Sequence, residues 1–283
     1  MKILLRSGAL VLLALLVGGC SVKFAYNNAD RLLRWQVSEY IDLDREQKAV
    51  LSARIDEFMI WHRRTQLPEY ADQMYLWSQQ LTDQVTPEQI AGIFEQMLQW
   101  GERMEDRGLP IAVEIMAGLS DDQVAELGPR LELSNAEIAE PEFGLSEEEA
   151  QQSWAREFED AMERFTGRLD IRQRDYIQRK AAGYQPERVL WAEYRRRWQA
   201  DLLSLLDQRQ SDQFAAAFSE LSRAREAYYG DKYTRVSEEN IELSREVAAY
   251  VLSNLSQRQS DRLQDSLTKL GDDFAELAAT SDK

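Results

Sequence analysis

Val85-Thr86-Pro87-Glu88-Gln89 is the start of a helix spelled out residue by residue. The threonine side chain is placed to accept from a backbone N–H in the first turn, and Gln89 is placed to reach back to the threonine N–H. Pro87 takes the first helical position, where no N–H is needed. Val85, just ahead of the cap, can staple onto Ile90. The same pattern, an apolar residue, then Ser, Thr or Asp, two variable residues and Gln, recurs five more times. The copies are Leu43-Asp44 with Gln47, Leu119-Ser120 with Gln123, Leu169-Asp170 with Gln173, Leu206-Asp207 with Gln210 and Leu255-Ser256 with Gln259. No strand-like alternation backed by turn signals lies between these helix starts, so the chain reads as all-α.

Apolar residues at helical spacing fill in the elements. Asn27 or Asn28 is expected to cap a helix whose apolar face is Ala29, Leu32, Leu33, Val37, Tyr40 and Ile41. The next helix carries Leu51, Ile55, Phe58, Met59 and His62 on one face and ends or kinks at Pro68, and a third carries Tyr70, Met74, Trp77 and Leu81. Later helices are expected over 186–205, with Trp191, Tyr194 and Trp198 in the stripe, and over 207–229, 237–254 and 256–279. Residues 206–214, LDQRQSDQF, nearly repeat as 255–263, LSQRQSDRL, which points to a duplicated helical hairpin. The architecture expected is about ten to twelve antiparallel helices in consecutive hairpins, an elongated bundle or an irregular helical array. Residues 133–146, with Pro141 and Gly144, break the helical period and set a soft boundary between a helical part over 27–132 and another over 147–283, which can pack as one unit. Ser146 with Glu149 caps the helix that follows.

The chain begins differently. Lys2 and Arg6 precede an apolar run from Ala9 to Val17, far shorter than the ~20 residues that cross a bilayer, so residues 1–19 read as a signal peptide. Leu16-Val17-Gly18-Gly19-Cys20 resembles a bacterial lipobox, with small residues before the cysteine giving a peptidase access to the backbone. That resemblance implies cleavage before Cys20 and its acylation. Ser21, which is not the aspartate that resembles an inner-membrane retention signal, points to the outer membrane, facing the periplasm. Residues 20–26 would then be an acylated cysteine and a short tether.

Losing Lys2 and Arg6 with the leader takes the net charge from −16 to −18. A surface of that sign repels phosphate backbones, so nucleic acid is excluded as a partner, and the body should not lie flat on acidic lipid. Cys20 is the only cysteine, so no disulfide can staple the fold, and packing of its 7 Trp, 11 Tyr and 9 Phe must hold it instead. His62 is the only histidine, which rules out two-His zinc sites and the H-E-x-x-H helix, and no cofactor motif is present. Charge is uneven along the chain: 132–163 carries eleven acidic residues and one basic, whereas 168–197 carries nine basic and four acidic. The two blocks can pair across a hairpin. Alternatively Arg172, Arg179, Arg188, Arg195, Arg196 and Arg197 form an exposed anion-binding strip.

Two resemblances add to this reading. Tyr26-Asn27-Asn28-x-Asp30, Trp35, Tyr40, then Trp61-His62-Arg63 and Leu67-Pro68-x-Tyr70 resemble the opening signature of an uncharacterised family of proteobacterial lipoproteins, a domain of unknown function. That implies an envelope protein and carries over no activity. More distantly, Leu81-Thr82 and Thr86-Pro87-Glu88-Gln89 are similar to the L-T-x-x-Q repeats of periplasmic stress chaperones.

Trp61-His62-Arg63-Arg64 is the candidate special site. His62 reads either as a satisfied core histidine or as a general base oriented by Glu57 or Glu69. The function expected is a non-enzymatic binding or chaperone-like role in the envelope, held to the membrane through acylated Cys20 and engaging an envelope protein. The alternatives are a scaffold bridging the outer membrane to a partner, and an enzyme using His62 on lipid or cell wall.

Overall fold

The computed structural model describes residues 22–81 and 84–280, so the leader and Cys20 lie outside the described residues. Among the described residues the regular structure is helical throughout, with no β-strand. The helices are α1 (Val22–Asn27), α2 (Ala29–Tyr40), α3 (Arg45–Trp61), α4 (Leu67–Gln80), α5 (Pro87–Ala117) and α6 (Asp121–Ala139). They continue as α7 (Glu147–Thr166), α8 (Ile171–Ala181), α9 (Arg188–Leu206), α10 (Phe214–Arg223), α11 (Asp231–Ser253) and α12 (Gln257–Ala279).

Neighbouring helices do pair, as α7 does with α8 and α9 with α10, but the most extensive contacts join distant segments, α4 with α12 and α6 with α9. The two expected parts therefore share their cores. Leu67, Tyr70, Met74 and Trp77 of α4 pack with Leu263, Leu267, Leu270 and Phe274 of α12. A second core joins Leu51 and Ile55 of α3 to Leu202, Leu206, Phe214 and Phe218. The spine is α5, 31 residues and ~46 Å long, which contributes Ile90 and Trp100 to the first core and Leu109 and Ile115 to the second. Helices α4 and α12 approach so closely at Gly271 that a β-carbon there would meet the Tyr75 ring at 2.7 Å.

Five of the six Gln boxes form as read, at Asp44, Thr86, Ser120, Asp170 and Ser256, and so does Ser146 with Glu149. The sixth does not. Asp207 stays in the right-handed helical region because α9 runs straight into it, whereas an N-cap must be extended. In the sister copy Asn254 ends α11 first, and Ser256 is then extended with ψ 159°. The near-identical stretches thus fold differently, and the helix expected over 207–229 shortens to α10. Arg209 fills the unused place, donating from Nε to the Leu119 carbonyl at 2.6 Å and from Nη1 to the Leu206 carbonyl at 2.9 Å.

Four further expectations change. The helix of 133–146 does not break early: α6 continues to Ala139, and only a short 3-10 turn and a loop follow before α7. Residues from Val22 onward are helix rather than tether, because Tyr26 is buried and Lys23 pairs with Glu276 at 2.7 Å and Asp273 at 3.2 Å. Asn28 closes α1, donating to the Phe24 carbonyl at 2.8 Å, instead of capping α2 with its side chain. The apolar stripe of α2 is covered only at its C-terminal end: Val37, Tyr40 and Ile41 face the second core, while Leu32 and Leu33 are exposed.

Four of the box glutamines do more than cap. Gln47 and Gln123 face each other, each donating from Nε2 to the other's Oε1 at 3.0 and 2.7 Å. Each Nε2 also reaches the carbonyl two residues before the partner's cap, Gly118 and Asp42. Gln173 and Gln259 repeat this with Asn254 and Arg168, donating to each other at 3.4 and 2.9 Å. The result is two clasps in which helix starts 76 and 86 residues apart satisfy one another's backbone. Glutamine is required, since glutamate can reach back to its own cap but has no donor to offer the partner. Gln173→Glu should therefore cost about 2–3 kcal/mol in a denaturant titration, from an unpaired charge and an unsatisfied carbonyl in a buried site. Gln89→Glu, in a box that contacts only its own cap, should cost under about 0.5 kcal/mol. Equal losses would disprove the clasp.

Candidate functional site

The Trp61-His62-Arg63-Arg64 stretch sits where a proline forces the helix to change pitch. Pro68 neither ends the helix nor leaves it regular: residues His62–Gln66 form a π-helical turn, and the Leu67 N–H donates to the His62 carbonyl five residues back. The wider turn makes room for the proline ring and its missing N–H while α3 runs on into α4. His62, Gln66 and Tyr70, spaced four apart along it, all lie on the buried side.

His62 is walled by rings. Tyr26, Phe58, Trp61 and Tyr70 have centroids 5.6, 6.4, 6.3 and 5.5 Å from its own, and Tyr70 continues the stack to Trp100 at 4.3 Å and Phe274 at 5.9 Å. Its Nδ1 lies 3.0 Å from the Tyr26 hydroxyl. Arg63 lies over the Tyr26 ring at 5.0 Å and donates to the Leu277 carbonyl at 2.7 Å, so α1 is fastened to the π turn and to the end of α12. Trp61 receives Arg107 over its ring at 5.8 Å, and Arg64 is exposed. Burial, with the adjacent Arg63 charge adding to it, lowers the His62 pKa from 6.5 to about 4.

The carboxylates expected to orient His62 are engaged elsewhere. Glu57 pairs with Arg54 at 3.1 Å, and Glu69 accepts from Trp100 Nε1 at 3.0 Å and Arg103 at 2.6 Å. His62 is thus a neutral imidazole near pH 7, hydrogen-bonded to a phenol inside an aromatic core.

The six arginines are not gathered into one strip. Arg196 makes a bidentate contact with Glu132 at 2.8 Å, and Arg188 lies 3.8 Å from Glu142 and 3.7 Å from Glu157, so the basic block partly neutralises the acidic one. Arg195 lies over the Trp191 ring, Arg197 donates to the Tyr228 carbonyl, and Arg179 lies over Tyr176. Arg172, on α8, is exposed and 3.8 Å from Asp170.

One cluster escaped the sequence reading. Arg225 lies largely buried over the Trp198 ring at 5.5 Å, its side chain 11% exposed, and pairs with Glu105 of α5 at 2.8 Å, beside the packed rings of Tyr194, Tyr229 and Tyr233. Burial lowers its pKa despite the carboxylate. Tyr229 and Tyr233, four residues apart and matching the Trp191, Tyr194 and Trp198 stripe, were the signal available.

Two surface depressions lie among the described residues at a distance from His62 in sequence. A groove of about 260 Å³ between α4 and α5 is floored by Trp77, Leu81 and Ile93 and rimmed by Gln73, Gln80, Gln89 and Gln96. An open hollow of about 610 Å³ lies on α10 around Ala216, Glu220 and Arg223. Among the described residues no group of His, Cys, Asp and Glu is arranged to hold a metal ion, and no helix is long and apolar enough to cross a membrane.

The model of a family of unknown function, DUF6279, matches residues 39–234. No curated protein and no solved structure matches the chain.

The position of His62 has a measurable consequence. The folded state resists its protonation while the unfolded chain takes the proton from pH 6.5 downward, so stability is full above pH 6.5 and falls as pH drops to about 4. The unfolding free energy of the protein minus that of His62→Phe should be flat above pH 6.5. Between pH 6.5 and 4 it should fall by about 3 kcal/mol. A difference independent of pH would mean that His62 is solvated.

Proposed function

Since the chain belongs to the family of unknown function DUF6279, which brings no activity with it, we propose a role from the geometry: a lipid-anchored, periplasm-facing envelope protein that binds a polypeptide partner in a chaperone-like way. The groove between α4 and α5 carries this reading. Its apolar floor suits the side chains of an extended segment, and four glutamine amides along the rim offer both donors and acceptors to a peptide backbone. Four uncharged amides recognise backbone rather than one particular side chain, which fits a binder of many sequences. The placement of His62 supports binding over catalysis, because its Nδ1 and ring faces are spent on holding α1 to the body. The leader, with its lipobox-like end at Cys20, supports the anchor and the compartment.

Gly92 lines the groove, and a β-carbon there would meet nothing within 4 Å, so a large side chain can be added without disturbing the core. Gly92→Phe should fill the groove, keep the melting temperature within about 2 °C, and abolish both rescue of a deletion strain and delay of client aggregation. His62→Phe, where it remains folded, should still rescue. A folded His62→Phe that fails beside an active Gly92→Phe would overturn the binding reading in favour of catalysis. Replacement of Cys20 by Ser should move the protein from the membrane to the soluble envelope fraction.

A further inference from the structure

We propose that the outward face of α1 and α2 is a membrane-contacting surface that lies against the lipid into which Cys20 is anchored. This rests on the lipid-anchored reading above and adds which side of the body meets the bilayer. Within residues 24–35 the structure exposes Phe24 by 61%, Leu32 by 49%, Leu33 by 40% and Trp35 by 57%, a third of the exposed large apolar side chains among the described residues. Leu32 and Trp35, three residues apart, share one side of α2. No residue of α2 is buried, although the helix is well fixed. Arg34 pairs with Asp56 of α3 at 2.8 Å, Tyr40 bonds to Ser134 of α6 at 2.8 Å, and Val37 packs on the second core. Leu32 and Trp35, with exposed Gln36 and Glu39 beside them, are thus held outward by contacts on the opposite side of the helix, a built amphipathic surface and not a frayed end.

Covalent reach says what covers it. Only Ser21 separates Cys20 from Val22, the first residue of α1, and two residue steps span at most ~7 Å. An acyl chain on Cys20 therefore brings α1 to the headgroup layer. The ties of Lys23 to Asp273 and Glu276 and of Tyr26 to His62 carry the rest of the body with it. The residue types suit that layer: Trp and Phe favour the interface, the leucines enter the acyl boundary, and exposed Arg31 can keep its charge among the headgroups. The body's net charge of −18 would be repelled by an anionic surface, so the contact is an apolar one suited to a zwitterionic, phosphatidylethanolamine-rich leaflet.

Acylation of the only cysteine leaves any introduced cysteine as the sole free thiol, which supplies the test. Trp35→Cys and Leu32→Cys are purified as full-length lipidated chains, labelled with an environment-sensitive fluorophore and placed in phosphatidylethanolamine and phosphatidylcholine vesicles containing brominated lipid. Ile171→Cys, 65% exposed on α8, is the reference. Labels at 32 and 35 should be quenched at least about threefold more than the label at 171, and less so when the vesicles are made anionic at low salt. Equal quenching at 35 and 171 overturns the inference. So does shielding of label 35 that grows with protein concentration and not with lipid, which would mark the face as a contact between two copies. Intact mass separates the two levels of the reading: acylated Cys20 with an unquenched label 35 removes only this surface, whereas unmodified Cys20 removes the anchor and the surface together.

Discussion

The fold depends on a need that helices create at their ends: backbone groups left over where the ladder stops have to be satisfied. Here the ends satisfy one another. Each clasped glutamine accepts from its own cap and donates to its partner's side chain and to a carbonyl just before the partner's cap. Two such clasps join α3 to α6 and α8 to α12, pinning segments that loops alone would leave far apart. With no disulfide available, these amide pairs supply a long-range specificity that apolar packing alone does not, because only one register brings both glutamines within reach.

The clasps leave the N-terminus to be fastened by other means. Helix α1 is too short to be stable alone and is held by three contacts of different kinds: the phenol–imidazole bond to His62, the Arg63 guanidinium over Tyr26, and the Lys23 pairs. The buried one is made at the π turn, where His62 meets Tyr26 on one side and Tyr70 on the other. A helix irregularity forced by Pro68 thus lies at the point where α1 is fastened, within an aromatic stack that offsets part of its cost.

Local features were legible in the sequence. Capping boxes are local, so five Gln boxes could be read from five residues each, and the helix stripes from their period. What failed was whatever depended on residues further off. Residues 206–210 have the box letters but follow Leu205, which keeps the chain helical through Asp207. The burial of His62 was implied by Phe58 and Met59 at helical spacing, but Tyr26, its hydrogen-bond partner, is 36 residues away. Arg195, Arg196 and Arg197 are consecutive in sequence and point three ways on a helix, so a run of charge did not become a patch. The pairing of Gln47 with Gln123 has no local signature, since Gln89 has the same box letters and contacts only its own cap.

The misread stripe of α2 is the most informative of these. A hydrophobic period states that one face avoids water, not which material will exclude it. For most helices here the material is another helix. For this stripe the body covers Val37, Tyr40 and Ile41 at the C-terminal end, while Leu32, Leu33 and Trp35 are left exposed. On the outward side of α2, Leu32 and Trp35 stand among exposed Arg31, Gln36 and Glu39, the mixed face of an interfacial helix rather than a wholly apolar one. The apolar exposure is concentrated at the end nearest Cys20, while the glutamine-rimmed groove is built from α4 and α5. The anchoring and binding proposed above would therefore draw on separate elements, and substitutions in either would leave the other's residues in place.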